Sequence, residues 1–219
     1  MNKDSWLANR QHEMEKGATD KGIAITSSGL RVSVNNKSVI DNTTVTGYVY
    51  LLIDCSGSMR KYGKIEQAKK RSIDFAIEAQ ARGYFVGLIK FDSHALLLCK
   101  PQRENRMLQE QLKTLVAGDR TNMGEGIRVA TENLMNLRGS LYMVIVTDGR
   151  PDSKQNALKM ACVAKNAGIG IIAIGTDDAD EAYLKQIASR TDLAMKVTRE
   201  KLGQAIADAA KMLPAPRNQ

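Results

Sequence analysis

The stretch Gly47-Tyr48-Val49-Tyr50-Leu51-Leu52-Ile53-Asp54 runs straight into Cys55-Ser56-Gly57-Ser58-Met59. Up to Ile53 it is a continuous apolar run rather than an alternating one, the pattern of a strand covered on both faces. Such a strand needs helices on both sides of its sheet, and the following residues supply them. Lys64–Arg82 places Ile65, Ala68, Phe75, Ala76 and Ala79 near helical spacing, and Gly83 stops it. Tyr84–Phe91 reads as a second strand, joined through Asp92-Ser93 to a short third one over His94–Lys100. Helices are expected over Arg106–Val116 and Gly124–Leu137, and Ser140–Gly149 contains a further buried strand. Asp152 precedes a helix that reaches Ala167 and stops at Gly168, and Ile169–Thr176 reads as another strand. Asp177, Asp178, Asp180 and Glu181 then open a helix, carboxylates in its first turn as the helix dipole prefers. Leu193–Val197 is a last short strand and Glu200–Met212 a last helix, closed by Pro214 and Pro216.

Strands alternating with helices in this way predict an α/β chain: a doubly wound, mostly parallel sheet with one short antiparallel edge strand and helices on both faces. The expected domain covers residues 47–213. In such sheets ligands collect beyond the carboxyl ends of the strands, here just after Ile53, Val146 and Ile174. Residues 1–46 form an N-terminal extension whose first twenty or so are polar and expected to be mobile. Gly29–Val34 alternates like a half-exposed strand suited to pair with a sheet edge or dock on the domain, and Asn35–Thr44 is turn-rich. Residues 214–219 are expected to be a disordered tail.

Bulk properties narrow the function classes. Aromatics are 5% of the chain, so Ile, Leu, Val, Ala and Met must build the core. No apolar run approaches the roughly 20 residues needed to span a bilayer, and the N-terminus shows no apolar segment of a secretory signal. Cys55, Cys99 and Cys162 are odd in number and widely spaced, which reads as reduced thiols in a cytoplasmic protein rather than a disulfide framework or zinc site. The net charge is +8, and residues 60–113 carry +6 of it, from 12 cations and 6 anions. That excess fits a solvated helix face rich in lysine. It also leaves open a nucleic-acid or anionic-lipid surface, although no aromatics are interleaved to stack bases.

The chemistry sits where the sheet argument puts it. After the first strand, Asp54, Ser56 and Ser58 present oxygens at alternate positions, and Gly57 lets the backbone turn sharply. Hard cations such as Mg²⁺ take oxygen ligands in near-octahedral geometry and usually keep some coordinated water. Thr121, in the loop before a helix, offers a third hydroxyl, and Asp148 in Thr147-Asp148-Gly149 a second carboxylate. This set, in this order and at these strand ends, resembles the metal-ion-dependent adhesion site of von Willebrand factor type A domains, and the likeness runs from about Gly47 to Leu213. The resemblance implies a Rossmann-like fold. It implies a divalent cation, Mg²⁺ with Mn²⁺ or Ca²⁺ as alternatives, held directly by Ser56 and Ser58. Thr121 would bind directly in one loop arrangement and through water in another, while Asp54 and Asp148 orient hydroxyls and waters. The open position would take an Asp or Glu of a partner protein. Stand-alone intracellular relatives in bacteria often work beside a MoxR-type AAA+ ATPase or with kinases and phosphatases.

Each of the three loops also carries an arginine, Arg60, Arg120 and Arg150, with Lys61 adding a further cation. These read either as ordinary exposed loop residues or as a cationic collar selecting an acidic segment. The acids from Asp177 to Glu181 read as a helix start rather than a second metal site. Cys55 reads as packing, His12 and His94 as exposed or structural, and Trp6 as an anchor for a partner or for its own domain. The leading expectation is a binding module and not an enzyme. A metal-dependent phosphohydrolase of the haloacid dehalogenase type would need a second acid two residues after Asp54, where Ser56 stands. No P-loop or dinucleotide fingerprint occurs.

Overall fold

The computed structural model describes residues 23–25, 31–33, 46–149 and 151–217. The chain divides into two units, Met1–Thr44 and Val45–Gln219. In the first, β1 (Ile23–Ile25) pairs antiparallel with β2 (Arg31–Ser33), Ala24 opposite Val32. The strand read from Gly29–Val34 thus finds its partner inside its own unit. The expected mobile start, the turn-rich Asn35–Thr44, Trp6 and His12 lie outside the described residues.

The second unit is built on six strands: β3 (Gly47–Asp54), β4 (Tyr84–Phe91), β5 (Ala95–Gln102), β6 (Ser140–Thr147), β7 (Gly170–Gly175) and β8 (Ala194–Lys196). Their order is β5-β4-β3-β6-β7-β8, parallel throughout except for β5, which runs antiparallel to β4 at the edge. The helices are α1 (Lys64–Ala81), α2 (Asn105–Thr114), α3 (Met123–Leu134), α4 (Lys154–Asn166), α5 (Glu181–Ile187) and α6 (Leu202–Ala209). From β3 the chain crosses to β4 on one side, and only later returns to place β6 on the other. The carboxyl ends of β3 and β6 therefore flank the switch in strand order, the position where ligands bind in open α/β sheets. The architecture is the α/β class expected.

The continuous apolar runs are buried as read: Val49, Leu52, Ile53, Val144, Ile145, Val146 and Ile172 are inaccessible to solvent. α1 packs against α6, and α3 against α4. The α3–α4 approach depends on Gly124, where a Cβ would come within 2.5 Å of the Asn156 amide and 3.2 Å of the Ala157 nitrogen. Phe75 and Ala79, one helical turn apart on α1, are both fully buried, as the periodicity predicted.

Several boundaries differ from expectation: β5 runs on to Gln102, and α2 and α3 end at Thr114 and Leu134 rather than Val116 and Leu137. The last helix is α only over Leu202–Ala209, with 3₁₀ turns over Arg199–Lys201 and Ala210–Met212. Order also continues past Leu213. The Tyr84 hydroxyl donates to the Pro214 carbonyl at 2.9 Å, and the Arg217 amide donates to Ser140 Oγ at 2.8 Å. Prolines stop a helix, but their carbonyls still accept, so residues 214–217 are tied to the sheet rather than released as a tail.

Truncating Phe75 should create a cavity that the packed sheet and helices cannot close. Phe75→Ala is expected to lower stability by about 3–5 kcal/mol in urea denaturation, whereas a loss below about 1 kcal/mol would mean that α1 is not seated as described.

Candidate metal site

Asp54 ends β3 with no solvent exposure. A buried carboxylate must be hydrogen-bonded, and its neighbours follow from strand register. Ile53 lies opposite Val146, so the next residues, Asp54 and Thr147, end side by side. The Thr147 hydroxyl donates to Asp54 Oδ2 at 2.6 Å, and the Ser56 amide donates to Oδ1 at 2.8 Å. Burial pushes the Asp54 carboxyl up to about 7, against the pull of those two bonds, with the nearby Asp148 adding to the rise.

Above Asp54, Ser56 Oγ lies 3.1 Å from Ser58 Oγ, and Ser58 Oγ donates to Asp148 Oδ1 at 2.6 Å. Asp148 is itself buried, on the loop leaving β6. Four of the five expected ligand residues are thus one hydrogen-bonded cluster. Thr121 is buried too and enters through the backbone. Its amide donates to Asp152 Oδ1 at 3.3 Å, and its carbonyl accepts from the Asp152 amide at 3.0 Å. The loop carrying Thr121 is clamped to the first loop where Gly118 N–H donates to the Cys55 carbonyl and Gly57 N–H to the Asp119 carbonyl. A Cβ on Gly57 would stand 3.2 Å from the Gly118 carbonyl oxygen, so the close approach of the two loops needs glycine there. The donor set is hydroxyl and carboxylate oxygen, the chemistry of a hard divalent cation. Among the described residues no group of three or more His, Cys, Asp or Glu could hold a metal by itself, so any ion here depends on the serine and threonine hydroxyls.

Two contributors were not read from the sequence. Thr147 supports Asp54, a role signalled only by β3–β6 register. Lys64 is the other: its side chain is 3% exposed and its ammonium pairs with Asp148 Oδ2 and, at 2.7 Å, with Asp177 Oδ2. Burial pulls this ammonium down, but the two carboxylates outweigh it and hold it above the ordinary lysine value. Lysine as the first residue of a helix opposes the dipole, and that was the available signal. Asp177 also accepts from Arg199 Nε at 3.1 Å, and the Arg199 guanidinium lies 3.9 Å from the centre of the Tyr62 ring. The hydrogen bond from Lys64, first, holds the Asp177 carboxyl below its ordinary range. Of the acids following β7, Asp180 caps α5 by accepting from the Tyr183 amide at 3.2 Å, and Glu181 lies in its first turn.

Of the arginines, Arg60 and Arg120 are exposed, and Arg60 Nη2 donates to the Ala117 carbonyl at 3.0 Å, bridging the first two loops. Arg150 lies outside the described residues. Lys61 is exposed. Cys55 is fully buried, and burial pushes its thiol up to about 12, which makes it packing rather than a nucleophile. Cys99 is buried and Cys162 exposed, all three free. His94 is exposed, its amide donating to Asp92 Oδ1 at 3.1 Å in the turn between β4 and β5. No helix among the described residues is long and apolar enough to cross a membrane.

Thr147→Val keeps the volume and removes the hydroxyl, leaving Asp54 Oδ2 buried without its donor. Chemical denaturation in chelator should show a loss of about 1–3 kcal/mol, and an unchanged midpoint would deny this bond its supporting role.

The family model described as von Willebrand factor type A domain matches residues 49–209. No match was found among curated proteins. Among solved structures, the chain is similar to the vWF domain of the type V pili tip protein Mfa5 from Porphyromonas gingivalis, with 13% identity, a TM-score of 0.70, and coverage of 77% of this chain and 95% of that one. Proximal thread matrix protein 1 from the mussel byssus, with a zinc-occupied MIDAS motif, has 17% identity and a TM-score of 0.67, covering 80% of this chain and 48% of that one. A von Willebrand factor type A protein from Catenulispora acidiphila has 17% identity and a TM-score of 0.62, with 75% and 42% covered. At such identities the structures establish the shared fold, and the matched family model spans most of the sequence. The chain belongs to the von Willebrand factor type A domain family.

Proposed function

We propose that this protein is a metal-dependent protein-binding module of the cytoplasm, in which Ser56, Ser58 and Thr121 hold a divalent cation supported by Asp54 and Asp148. The observation that carries the reading is the chain of oxygens in which the Ser56 hydroxyl lies 3.1 Å from that of Ser58, which in turn donates to the buried Asp148 carboxylate. Mg²⁺ suits the all-oxygen set, with Mn²⁺ or Ca²⁺ as alternatives. A bound cation would supply an open position for a carboxylate ligand. The chain's own part is to fix the hydroxyls: Asp54 pins the first loop through the Ser56 amide, and Asp148 aims Ser58. Neutral hydroxyls leave the ion only partly neutralised, which favours an Asp or Glu from a protein partner. The family resemblance suggests a MoxR-type ATPase or a kinase or phosphatase system as the setting. Binding is preferred over phosphohydrolase chemistry because Ser56 occupies the place of the second acid. The cation excess in residues 60–113 keeps a nucleic-acid surface as the alternative reading.

Isothermal calorimetry should find about one equivalent of Mg²⁺ or Mn²⁺, with binding lost in Asp54→Ala. Equal binding by wild type and variant would remove the site as assigned.

The exposed Arg60 and Arg120 are proposed to steer an acidic partner segment. Steering acts on association rate and is screened by salt, since the Debye length falls from about 10 Å at 0.1 M to about 3 Å at 1 M. Arg60→Glu with Arg120→Glu should slow association in surface plasmon resonance and flatten its salt dependence, without weakening intrinsic Mg²⁺ affinity. Unchanged association rates would reduce both to rim residues.

A further inference from the structure

The Lys64 ammonium is a cation already inside the site. Its side chain is 3% exposed, and its nitrogen lies against the Asp148 oxygen that Ser58 does not use. It cannot be dismissed as a surface ion pair, because both groups are shielded from water and Asp148 is also the carboxylate that aims Ser58. Nor is it free to swing away. Asp177 holds it from the other side at 2.7 Å, and Asp177 is fixed in turn by Arg199, which lies on the Tyr62 ring. Tyr62 and Asp177 both adopt left-handed backbone conformations, φ 58° and φ 49°, the only non-glycine residues among those described with positive φ. Two such residues in one small network mean that the surroundings enforce its geometry.

We propose that Lys64 is a built-in counter-cation that competes electrostatically with the divalent ion for Asp148, weakening the ion's affinity and leaving the ion under-neutralised for a partner carboxylate. This rests on the metal-binding reading above and adds a residue and a purpose to it. Charge accounting gives the reason. Asp177 is balanced by Arg199, so Asp54, Asp148 and Lys64 remain beside the ion. Two carboxylates and one ammonium present a single negative charge to a divalent cation, and one positive charge is left over. With Lys64 neutral, the two carboxylates would satisfy the ion by themselves, and a partner's carboxylate would gain less from joining it. Lys64 also stabilises the site before any ion arrives, since otherwise Asp148 would be a buried carboxylate with no cation beside it.

The experiment compares wild type with Lys64→Met, Lys64→Gln and Lys64→Arg. Mg²⁺ and Mn²⁺ titrations are followed by calorimetry, and thermal unfolding is recorded in chelator and in saturating Mg²⁺. Removing one positive charge this close to the ion should tighten the dissociation constant about ten-fold or more, as like charges in a partly shielded site repel strongly. Lys64→Met should melt lower than wild type in chelator and gain more in melting temperature from Mg²⁺. Lys64→Arg, which keeps the charge, should bind the ion close to the wild-type affinity. If Lys64→Met does not fold, Lys64→Gln keeps a donor for the two carboxylates while losing the charge, and its affinity decides. Wild-type metal binding that is unchanged or weakened in the folded neutral variants overturns the counter-cation role and leaves the metal site standing. Absence of binding by wild type and neutral variants alike overturns both. Binding by the neutral variants alone supports Lys64 as the opposing charge and removes the reading of wild type as a metal protein.

Discussion

The Asp54 carboxylate, fully buried where β3 ends, is the constraint around which the top of the sheet is arranged. A charge in that position must have donors from every side, and each donor fixes a piece of chain. Thr147 ties β6 to β3 at the last rung of the sheet, and the Ser56 amide turns the chain away from the strand direction. Once that turn is fixed, Ser56 and Ser58 face the same point, and Ser58 reaches Asp148. On the proposed reading, a divalent cation would take both hydroxyls as oxygen ligands. The polar cluster is therefore part of the fold and the beginning of the site at once.

The second loop joins by a different means. Its backbone is held, by Gly118 and Asp119 against the first loop, by the Asp152 amide and carboxylate, and by Arg60 through the Ala117 carbonyl. The Thr121 hydroxyl takes no part in these bonds. The family resemblance implies direct and water-mediated roles for Thr121, and either would use that hydroxyl. The first loop, by contrast, is tied to two buried carboxylates, Asp54 through the Ser56 amide and Asp148 through Ser58.

Most of this was legible in the sequence because burial on both faces writes a simple code. Gly47–Ile53 and Ser140–Val146 are apolar without alternation, and a chain of such runs with helical spacing between them has few other ways to bury itself. Asp54, Ser56, Ser58 and Asp148 stood out as candidates because they follow buried strands, the first three at alternate positions, whereas Thr121 lies in a loop before a helix. What escaped depends on contacts between distant residues. Thr147 differs from any strand-end threonine only through the register that sets it beside Asp54. Lys64 looks like the first of many lysines in a basic stretch, and only the folded chain brings Asp148 and Asp177 to it, 84 and 113 residues away. The tail was misread because a proline signals the end of a helix and not the end of order; Tyr84 needs an acceptor, and Pro214 provides it.

Lys64 and Arg60 show why net charge was a poor guide to the basic stretch. Both belong to the same run of cations, yet one is buried against carboxylates and the other is exposed, spanning two loops through the Ala117 carbonyl. Lys64 acts at short range on the site's own anions, where water does not screen it. Arg60 and Arg120 are exposed, where salt would screen them. On the proposed reading, a partner carboxylate would meet the outer cations first and the under-neutralised centre last, so attraction at a distance and capture at contact would come from different residues. Such a separation would let the rate of encounter and the strength of the final bond be set independently, and the placement behind it is observed: two cations only four residues apart, one buried and one exposed.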